Sequence, residues 1–246
     1  MTEPVLAFLG SGEFDPWSEP IDRWLVARSR NPDGPVLISP AAAAHEGDAT
    51  FDMWANKGLD HYRSLGIPAE VLPLKTRDDA TDDRLARRLD DASMIFFSGG
   101  NPARLAAILD GTPFWLALTR AMREHLPYAG CSAGVACLTE ATYDSDTTDT
   151  DSIWAPGLGH VRDTLFAPHW DIVDTWVPGV TEFILASVRP GQAFVGLDEE
   201  TAIVGDGASW EVVGRSRIHV LRDGMWATFA DGDMFELVLP MGDGSP

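Results

Sequence analysis

Short apolar runs alternate with longer amphipathic stretches through the first half of the chain. The pattern predicts strands at residues 5–9, 35–39, 69–74 and 93–97, and helices around 21–26 and at 48–65, 79–89, 102–109 and 113–124. Strands and helices that alternate at this spacing form parallel sheets with right-handed crossovers. We therefore predict an α/β fold with a doubly wound, mostly parallel sheet, helices on both faces, and ligand sites at the carboxyl ends of the strands.

From Glu200 onward the chain changes to short apolar runs that are separated by turn residues. We predict strands at residues 201–204, 210–213, 217–221, 226–229 and 235–239. Asp-Gly and Gly-Asp-Gly turns between them favour hairpins. Because no linker rich in serine or proline precedes this region, we expect a C-terminal antiparallel extension of one domain over residues 1–246. Residues 242–246 are expected to form a flexible tail.

Acidic residues outnumber basic ones by 38 to 18, which gives a formal net charge of −20. Such a charge repels nucleic-acid phosphates and anionic membrane surfaces. No apolar run approaches the roughly 20 residues of a membrane-spanning helix, and the first residues do not resemble a signal peptide. We expect a cytoplasmic protein, monomeric or homodimeric, that binds neither nucleic acid nor membrane.

The chain has two cysteines, Cys131 and Cys137, which lie six positions apart on either side of a glycine-containing turn. They do not form the CxxC pair that is typical of zinc sites. We predict no disulfide, no metal site and no cofactor.

The strongest chemical signal is the segment Gly-Cys-Ser-Ala-Gly at residues 130–134, between a short apolar run and a helix of small residues. A GxSxG sequence after a parallel strand is typical of a nucleophile elbow, the tight strand-to-helix turn that exposes a catalytic serine. Ser132 would then lie at a helix amino terminus, where N–H groups favour a developing negative charge. We predict that Ser132 is a nucleophile and treat Cys131 as core packing.

A second glycine turn follows the strand at 93–97 and opens a helix at the same edge of the predicted sheet. A backbone N–H from Gly99 or Gly100, together with that of Ala133, is expected to form the oxyanion hole, the pair of donors that stabilises a tetrahedral intermediate. Asn101 either contributes to substrate binding there or caps the following helix.

A nucleophilic serine needs a base, and the chain has six histidines. His169 follows an apolar run and the backbone-restricting Pro168, which favours a loop that faces the site. His160 and His45 remain alternatives. The other three fall in predicted helices, at a helix end or in the late strands, and are expected to be packing or surface residues.

Two acidic clusters could orient the histidine. One is a polar loop with four aspartates: Asp144, Asp146, Asp149 and Asp151. The other is Asp198, Glu199 and Glu200, just after the apolar run 193–195. We favour the second cluster, because a side chain at the end of a strand is held rigidly.

Five segments taken together resemble peptidase family S51, which contains dipeptidase E and cyanophycinase and has a class I glutamine-amidotransferase-like fold. They are Gly-Ser-Gly-Glu at 10–13, Ser-Gly-Gly-Asn at 98–101, the segment 130–134, Pro-His-Trp at 168–170 and Gly-Leu-Asp-Glu-Glu-Thr-Ala at 196–202. The resemblance runs through most of the chain. It implies a serine peptidase that cleaves short acidic or β-linked aspartyl peptides without a metal.

By matching motifs, the resemblance assigns the nucleophile to Ser132, the base to His169 and the third member of the triad to Glu199. Asp146 is an alternative third member, with Asp144 close behind. Gly100 and Ala133 would supply the oxyanion donors.

The chain departs from the family after the histidine. Cyanophycinase-like members carry several arginines there, whereas residues 171–176 read Asp-Ile-Val-Asp-Thr-Trp. The basic residues closest in sequence to these motifs, which could pair with a substrate aspartate, are Arg104 and Arg162. An acidic, tryptophan-rich pocket could instead favour a cationic or aromatic peptide end. Two further hypotheses stay open. One is a glutamine-amidotransferase-like amide hydrolase, whose nucleophile would be a cysteine at the position of Ser132, whereas Cys131 lies one position earlier. The other is a peptide or small-molecule binding module without turnover.

Overall fold

The computed structural model describes residues 3–124, 126–147, 149 and 152–242. The strands are β1 Leu6–Leu9, β2 Val36–Ser39, β3 Ala69–Val71, β4 Met94–Phe97, β5 Tyr128–Cys131, β6 Ala141–Tyr143, β7 Trp154–Pro156, β8 Thr164–Pro168, β9 Ala193–Leu197, β10 Thr201–Gly205, β11 Ser209–Gly214, β12 Arg217–Arg222, β13 Met225–Ala230 and β14 Met234–Glu236. The helices are α1 Glu19–Val26, α2 Asp48–Leu65, α3 Asp83–Arg87, α4 Pro102–Leu109, α5 Pro113–Arg123, α6 Ala133–Ala136, α7 Val173–Trp176 and α8 Val180–Ala186. Short 3-10 helices lie at 16–18, 41–46, 79–81 and 88–90.

The largest sheet within the described residues has eight strands in the order β14-β11-β10-β1-β5-β4-β2-β3. The five strands from β1 to β3 in this order pair in parallel, and β10, β11 and β14 add antiparallel strands beyond β1. The predicted fold class is therefore confirmed. Since β5 lies between β1 and β4, the loops that follow these three strands meet at one edge of the sheet.

Alternate residues of the central strands pack into separate cores on the two faces of the sheet. In β1, Ala7 and Leu9 belong to a core that includes residues of α1 and α2, whereas Leu6 and Phe8 belong to a core that includes residues of α4 and α5. All four side chains are fully buried. Strands covered on both faces are expected to be apolar throughout, as the sequence of these strands is.

A second, four-stranded sheet has the order β13-β12-β9-β8 and contains a parallel pair, β8 and β9. The predicted C-terminal antiparallel strands are present, and they divide between the two sheets: β10, β11 and β14 extend the eight-stranded sheet, whereas β12 and β13 pair with β9. Turn residues predict that two strands form a hairpin, but not which sheet edge the hairpin joins. Val195 and Ile218 of the second sheet pack into the core that also holds Phe8 of the first sheet.

Several boundaries differ from the predictions. The segment predicted as a helix at 79–89 is split into 3-10 and α-helical turns, and β14 ends at Glu236, short of the predicted 239. The pairs β6–β7 and α7–α8 were not predicted. Most of the predicted flexible tail, residues 243–246, lies outside the described residues.

Among the described helices, none is long and apolar enough to cross a membrane. A search of the same residues finds no cluster of three or more His, Cys, Asp or Glu side chains that could hold a metal ion.

Candidate active site

Ser132 occupies a strained turn between β5 and α6. Its backbone angles are φ 50° and ψ −104°, in a region that residues with a side chain rarely adopt. The flanking glycines are required by close contacts: a Cβ atom on Gly130 would lie 2.3 Å from the carbonyl oxygen of Gly134, and a Cβ atom on Gly134 would lie 2.5 Å from the carbonyl oxygen of Phe97. The turn therefore has the geometry of a nucleophile elbow.

His169 reaches the serine from the second sheet, directly after β8. Its Nε2 atom lies 2.9 Å from Ser132 Oγ, a hydrogen-bond distance. The residue has a positive φ of 55°, which turns the chain sharply after Pro168. The indole ring of Trp176 packs against the imidazole, with ring centroids 4.9 Å apart.

Glu199 completes a hydrogen-bonded series. Its Oε1 atom lies 3.0 Å from His169 Nδ1. The backbone N–H of Glu199 donates to Asp171 Oδ1 at 2.9 Å, which ties the loop after β9 to the loop after β8. In the tautomer that carries its hydrogen on Nδ1, His169 donates to Glu199 and presents a free Nε2 lone pair to Ser132.

Asp198 anchors the loop that carries Glu199. Its buried carboxylate accepts hydrogen bonds from the Ser216 hydroxyl at 2.7 Å and the Arg217 N–H at 3.1 Å, and lies 3.2 Å from His219 Nε2. Burial alone would raise the pKa of Asp198, but the hydrogen bonds from His219 and Ser216 outweigh it and lower the pKa below its usual 3.8. The ionised carboxylate is therefore part of the native loop.

We expect Asp198→Asn to lower the free energy of unfolding by about 1–3 kcal/mol at pH 7, because buried donors lose their acceptor. A lowered pKa means that the carboxylate stabilises the fold above its ordinary pKa and that this contribution is lost as pH falls through the lowered value. The difference from wild type should therefore shrink below about pH 4. Urea unfolding at both pH values measures it.

The matched control is Asp223→Asn, which removes the same charge from an exposed position. It should change the free energy of unfolding by less than about 0.5 kcal/mol at either pH. An equal effect of the two substitutions would contradict the anchoring role of Asp198.

The backbone N–H groups of Gly100 and Ala133 are available as oxyanion donors. Neither has a hydrogen-bond acceptor within the described part of the chain. The N–H of Gly99, by contrast, donates to Glu13 Oε1 at 2.7 Å. Gly100 has a positive φ of 137°, and a Cβ atom there would lie 2.5 Å from the carbonyl carbon of Ala42. The structure thus separates two glycines that chemical reasoning left as alternatives, and the available donor is Gly100, as the resemblance implies.

Glu13 is a site residue to which the sequence analysis gave no role. Only 4% of its surface is exposed. In addition to the hydrogen bond from the Gly99 N–H, its carboxylate accepts a hydrogen bond from the Cys131 thiol, with 3.0 Å between sulfur and oxygen. Burial and the neighbouring Glu13 carboxylate raise the pKa of the Cys131 thiol well above its usual 9.0. Its position in the glycine turn after β1, at the edge where ligands bind, is the signal that could have revealed Glu13.

Two other predicted residues lie apart from the hydrogen-bonded series. Asn101 caps α4, because its Oδ1 atom accepts the N–H groups of Ala103 and Arg104, and its amide donates to Asp144. The carboxylate of Asp146 lies 3.4 Å from His45 Nε2 and 3.7 Å from Arg104 Nε, and it does not contact His169. Among the described residues, Glu199 is thus the acidic side chain hydrogen-bonded to the imidazole.

The remaining histidines are placed elsewhere. His160 is buried with its ring against Trp115, and His61 is hydrogen-bonded to the buried Asp22. His219 lies beside Asp198 in the second sheet. His125 and Asp151 lie outside the described residues.

A cavity of about 440 Å³ opens beside Ser132 and His169. The hairpin of β6 and β7 forms one wall, and the helical pair α7–α8 forms the other. Side chains that line the walls include Tyr143, Trp154, Trp176, Val177, Phe183 and Ile184. The volume is typical of pockets that bind small molecules.

A serine at an elbow, hydrogen-bonded to a histidine that a carboxylate contacts, gives this α/β protein the form of a serine hydrolase. The family follows from comparison with known proteins. The model of peptidase family S51 matches residues 6–213, and the chain belongs to that family.

The chain is similar to several named proteins. A cyanophycinase of Synechococcus elongatus is 30% identical over 215 residues, covering 83% of this chain and 64% of that protein. A peptidase E of Streptomyces coelicolor is 50% identical over 52 residues, 21% of each chain. The crystal structure of a peptidase from an acI-B1 actinobacterium matches with a TM-score of 0.85 at 27% identity, covering 96% of this chain and 97% of that one. The match to the Synechococcus elongatus cyanophycinase covers 64% of that protein, so this chain spans less than two thirds of its length.

Proposed function

We propose that this chain is a serine peptidase that hydrolyses short peptides, with Ser132 as nucleophile, His169 as general base and Glu199 as the residue that orients the histidine. The observation that carries the proposal is the unbroken series of hydrogen bonds from Ser132 Oγ through the imidazole to Glu199 Oε1, with distances of 2.9 and 3.0 Å. Membership of peptidase family S51 supports the reaction class.

In the first half of the reaction, Ser132 Oγ attacks the carbonyl carbon of a peptide bond while its proton passes to His169 Nε2. The negative charge that forms on the carbonyl oxygen is stabilised by the N–H groups of Gly100 and Ala133, each worth about 3 kcal/mol of barrier. Glu199 stabilises the imidazolium through the Nδ1 hydrogen. His169 then gives its proton to the amine as the C–N bond breaks, which leaves an acyl-enzyme.

In the second half, a water molecule attacks the acyl-enzyme. His169 accepts the proton of that water and returns it to Ser132 Oγ as the ester bond breaks, which releases the acid product. Each step needs only the side chains and N–H groups described above.

The size of the pocket supports short peptides as substrates. A cavity of about 440 Å³ between two walls matches the size of a ligand such as a short peptide. The resemblance also predicted an aspartyl or isoaspartyl preference. The described residues that line the pocket include no lysine or arginine, so the lining offers no such cation to pair with an acidic side chain.

Other functions receive less support. Glutamine-amidotransferase-like chemistry needs a reactive cysteine, but Cys131 is buried, donates to Glu13 and has a raised pKa, all of which oppose formation of the thiolate. A binding module without turnover would not require the strained backbone at Ser132 or the short distance to His169.

The test combines a fluorophosphonate probe with a panel of blocked and unblocked dipeptides. We expect one labelled site, mapped to Ser132 by peptide mass spectrometry, and turnover of at least one peptide in the presence of a chelator. An unactivated serine does not react appreciably with the probe. Absence of both labelling and turnover, with stabilisation by a peptide in thermal unfolding, would instead support the binding module.

A further inference from the structure

The two walls of the pocket carry an unusual charge distribution. The described residues of the two wall elements, 141–147, 149 and 152–156 for the β6–β7 wall and 169–186 for the α7–α8 wall, contain no lysine or arginine but six aspartates and glutamates. A substrate with an acidic side chain would therefore meet negative charge as it approaches the pocket.

These wall acids do not form a built cation site within the pocket. Asp144 is hydrogen-bonded to Asn101, Asp171 accepts the Glu199 N–H, and Asp174 accepts the N–H and hydroxyl of Thr181. None of the three lines the cavity. The cavity surface is formed largely by aromatic and branched aliphatic side chains, for which neutral apolar groups are the matching ligand.

The two walls of the pocket contact each other through aromatic rings. The ring of Phe183 on α8 stacks on the indole of Trp154 on β7, with centroids 6.0 Å apart and planes inclined by 23°. Trp176 is 56% exposed and covers His169 on one side. A bound apolar side chain would bury these rings further. Burial of aromatic rings contributes strongly to binding free energy.

The charged side chain on the pocket floor is Glu13, next to Ser132. A carboxylate brought into this apolar pocket would lose its hydration and lie near the buried Glu13 without a cation to pair with it. Basic side chains around the site have acidic partners: Lys57 pairs with Asp15 at 3.0 Å, Arg215 with Glu200 at 2.7 Å, and Arg104 lies 3.7 Å from Asp146. The floor therefore opposes acidic side chains, as the walls do.

We infer that the peptides cleaved at this site carry a large neutral apolar side chain, aromatic or branched aliphatic, beside the scissile bond, and not an aspartate. The inference rests on the proposed function for the cleavage itself, but the preference in binding does not require turnover. Phe183, Trp154 and Trp176 are the residues that determine this specificity.

The test uses the Ser132→Ala variant, in which binding is measured without cleavage. Isothermal titration calorimetry with Phe-Ala, Ala-Phe, Asp-Ala, Ala-Asp, Lys-Ala and Ala-Lys compares the side chains at both positions. We expect at least one phenylalanine peptide to bind about tenfold or more tightly than its aspartate and lysine counterparts. Aspartate or lysine peptides that bind as tightly as the phenylalanine peptides would overturn the inference.

A charge placed on the wall sharpens the test. Phe183→Arg should weaken binding of the phenylalanine peptide and strengthen that of the aspartate peptide, so that the ratio of their dissociation constants falls about tenfold or more. Glu182→Arg, on the exposed side of the same helix, adds the same residue and should leave the ratio unchanged. An unchanged ratio in a folded Phe183→Arg variant would contradict the inference. If that variant does not fold, Val177→Arg on the same wall replaces it.

The two proposals fail in different ways. If the wild-type protein is labelled at Ser132 and cleaves aspartate peptides faster than phenylalanine peptides, the specificity is wrong and the peptidase function stands. If the Ser132→Ala variant prefers phenylalanine peptides but the wild-type protein is neither labelled nor active, the specificity stands and the peptidase function is wrong.

Discussion

Replacing Ser132 with alanine is expected to lower kcat for a cleaved peptide by about 10⁴-fold or more, because the covalent step loses its nucleophile. The elbow depends on Gly130 and Gly134, not on the hydroxyl, so thermal unfolding should remain close to that of wild type. Steady-state kinetics and incorporation of the fluorophosphonate probe measure the loss.

The control is Ser152→Ala, which removes a hydroxyl from an exposed serine outside the pocket lining. It should retain labelling and kcat. Turnover by Ser132→Ala at a rate near that of wild type, after the absence of contaminating peptidase has been established, would rule out Ser132 as the nucleophile.

Replacing Glu199 with glutamine is expected to lower kcat by about 10²- to 10⁴-fold with a smaller change in KM. An amide next to His169 Nδ1 no longer selects the tautomer that leaves Nε2 free for Ser132, and it does not stabilise the imidazolium. Because Glu199 is partly exposed, the fold should tolerate the change. The pH dependence of kcat, measured alongside, reports the altered histidine, which loss of packing alone would not affect.

Glu200→Gln is the matched control, since Glu200 is the adjacent residue and pairs with Arg215 instead of the imidazole. Asp146→Asn tests the alternative third member of the triad. A larger loss of kcat for Asp146→Asn than for Glu199→Gln would transfer the orienting role to Asp146 and would require the segment between β6 and β7 to move during the reaction.

The elements that follow local rules were predicted well. The helices at 48–65 and 102–109 have the predicted bounds, since a glycine ends the first and Asn101 with Pro102 starts the second. Ser132 was located from a five-residue pattern, because the close contacts that demand Gly130 and Gly134 arise within one turn.

The partners of Ser132 were harder to identify. Chemical reasoning favoured His169 but kept His160 and His45 as alternative bases, and the resemblance to family S51 also assigned the base to His169. His169 lies 37 positions from Ser132 and Glu199 a further 30, in a sheet whose pairing depends on the whole core. Chemical reasoning also left Gly99 and Gly100 as alternative donors, since the contact that engages the Gly99 N–H comes from Glu13, 86 positions away.

The sequence by itself determined the alternation of strands and helices through the first half of the chain, the parallel character of the central sheet and the elbow at Ser132, because all three depend on short-range periodicity, turn chemistry and sterics. Only the tertiary structure decided that β8, β9, β12 and β13 form a separate sheet, that the imidazole and Glu199 converge on the serine, and that the pocket walls are apolar. These features depend on contacts between residues far apart in the chain. Such contacts are stabilised by packing of the whole core, and no local sequence pattern indicates them.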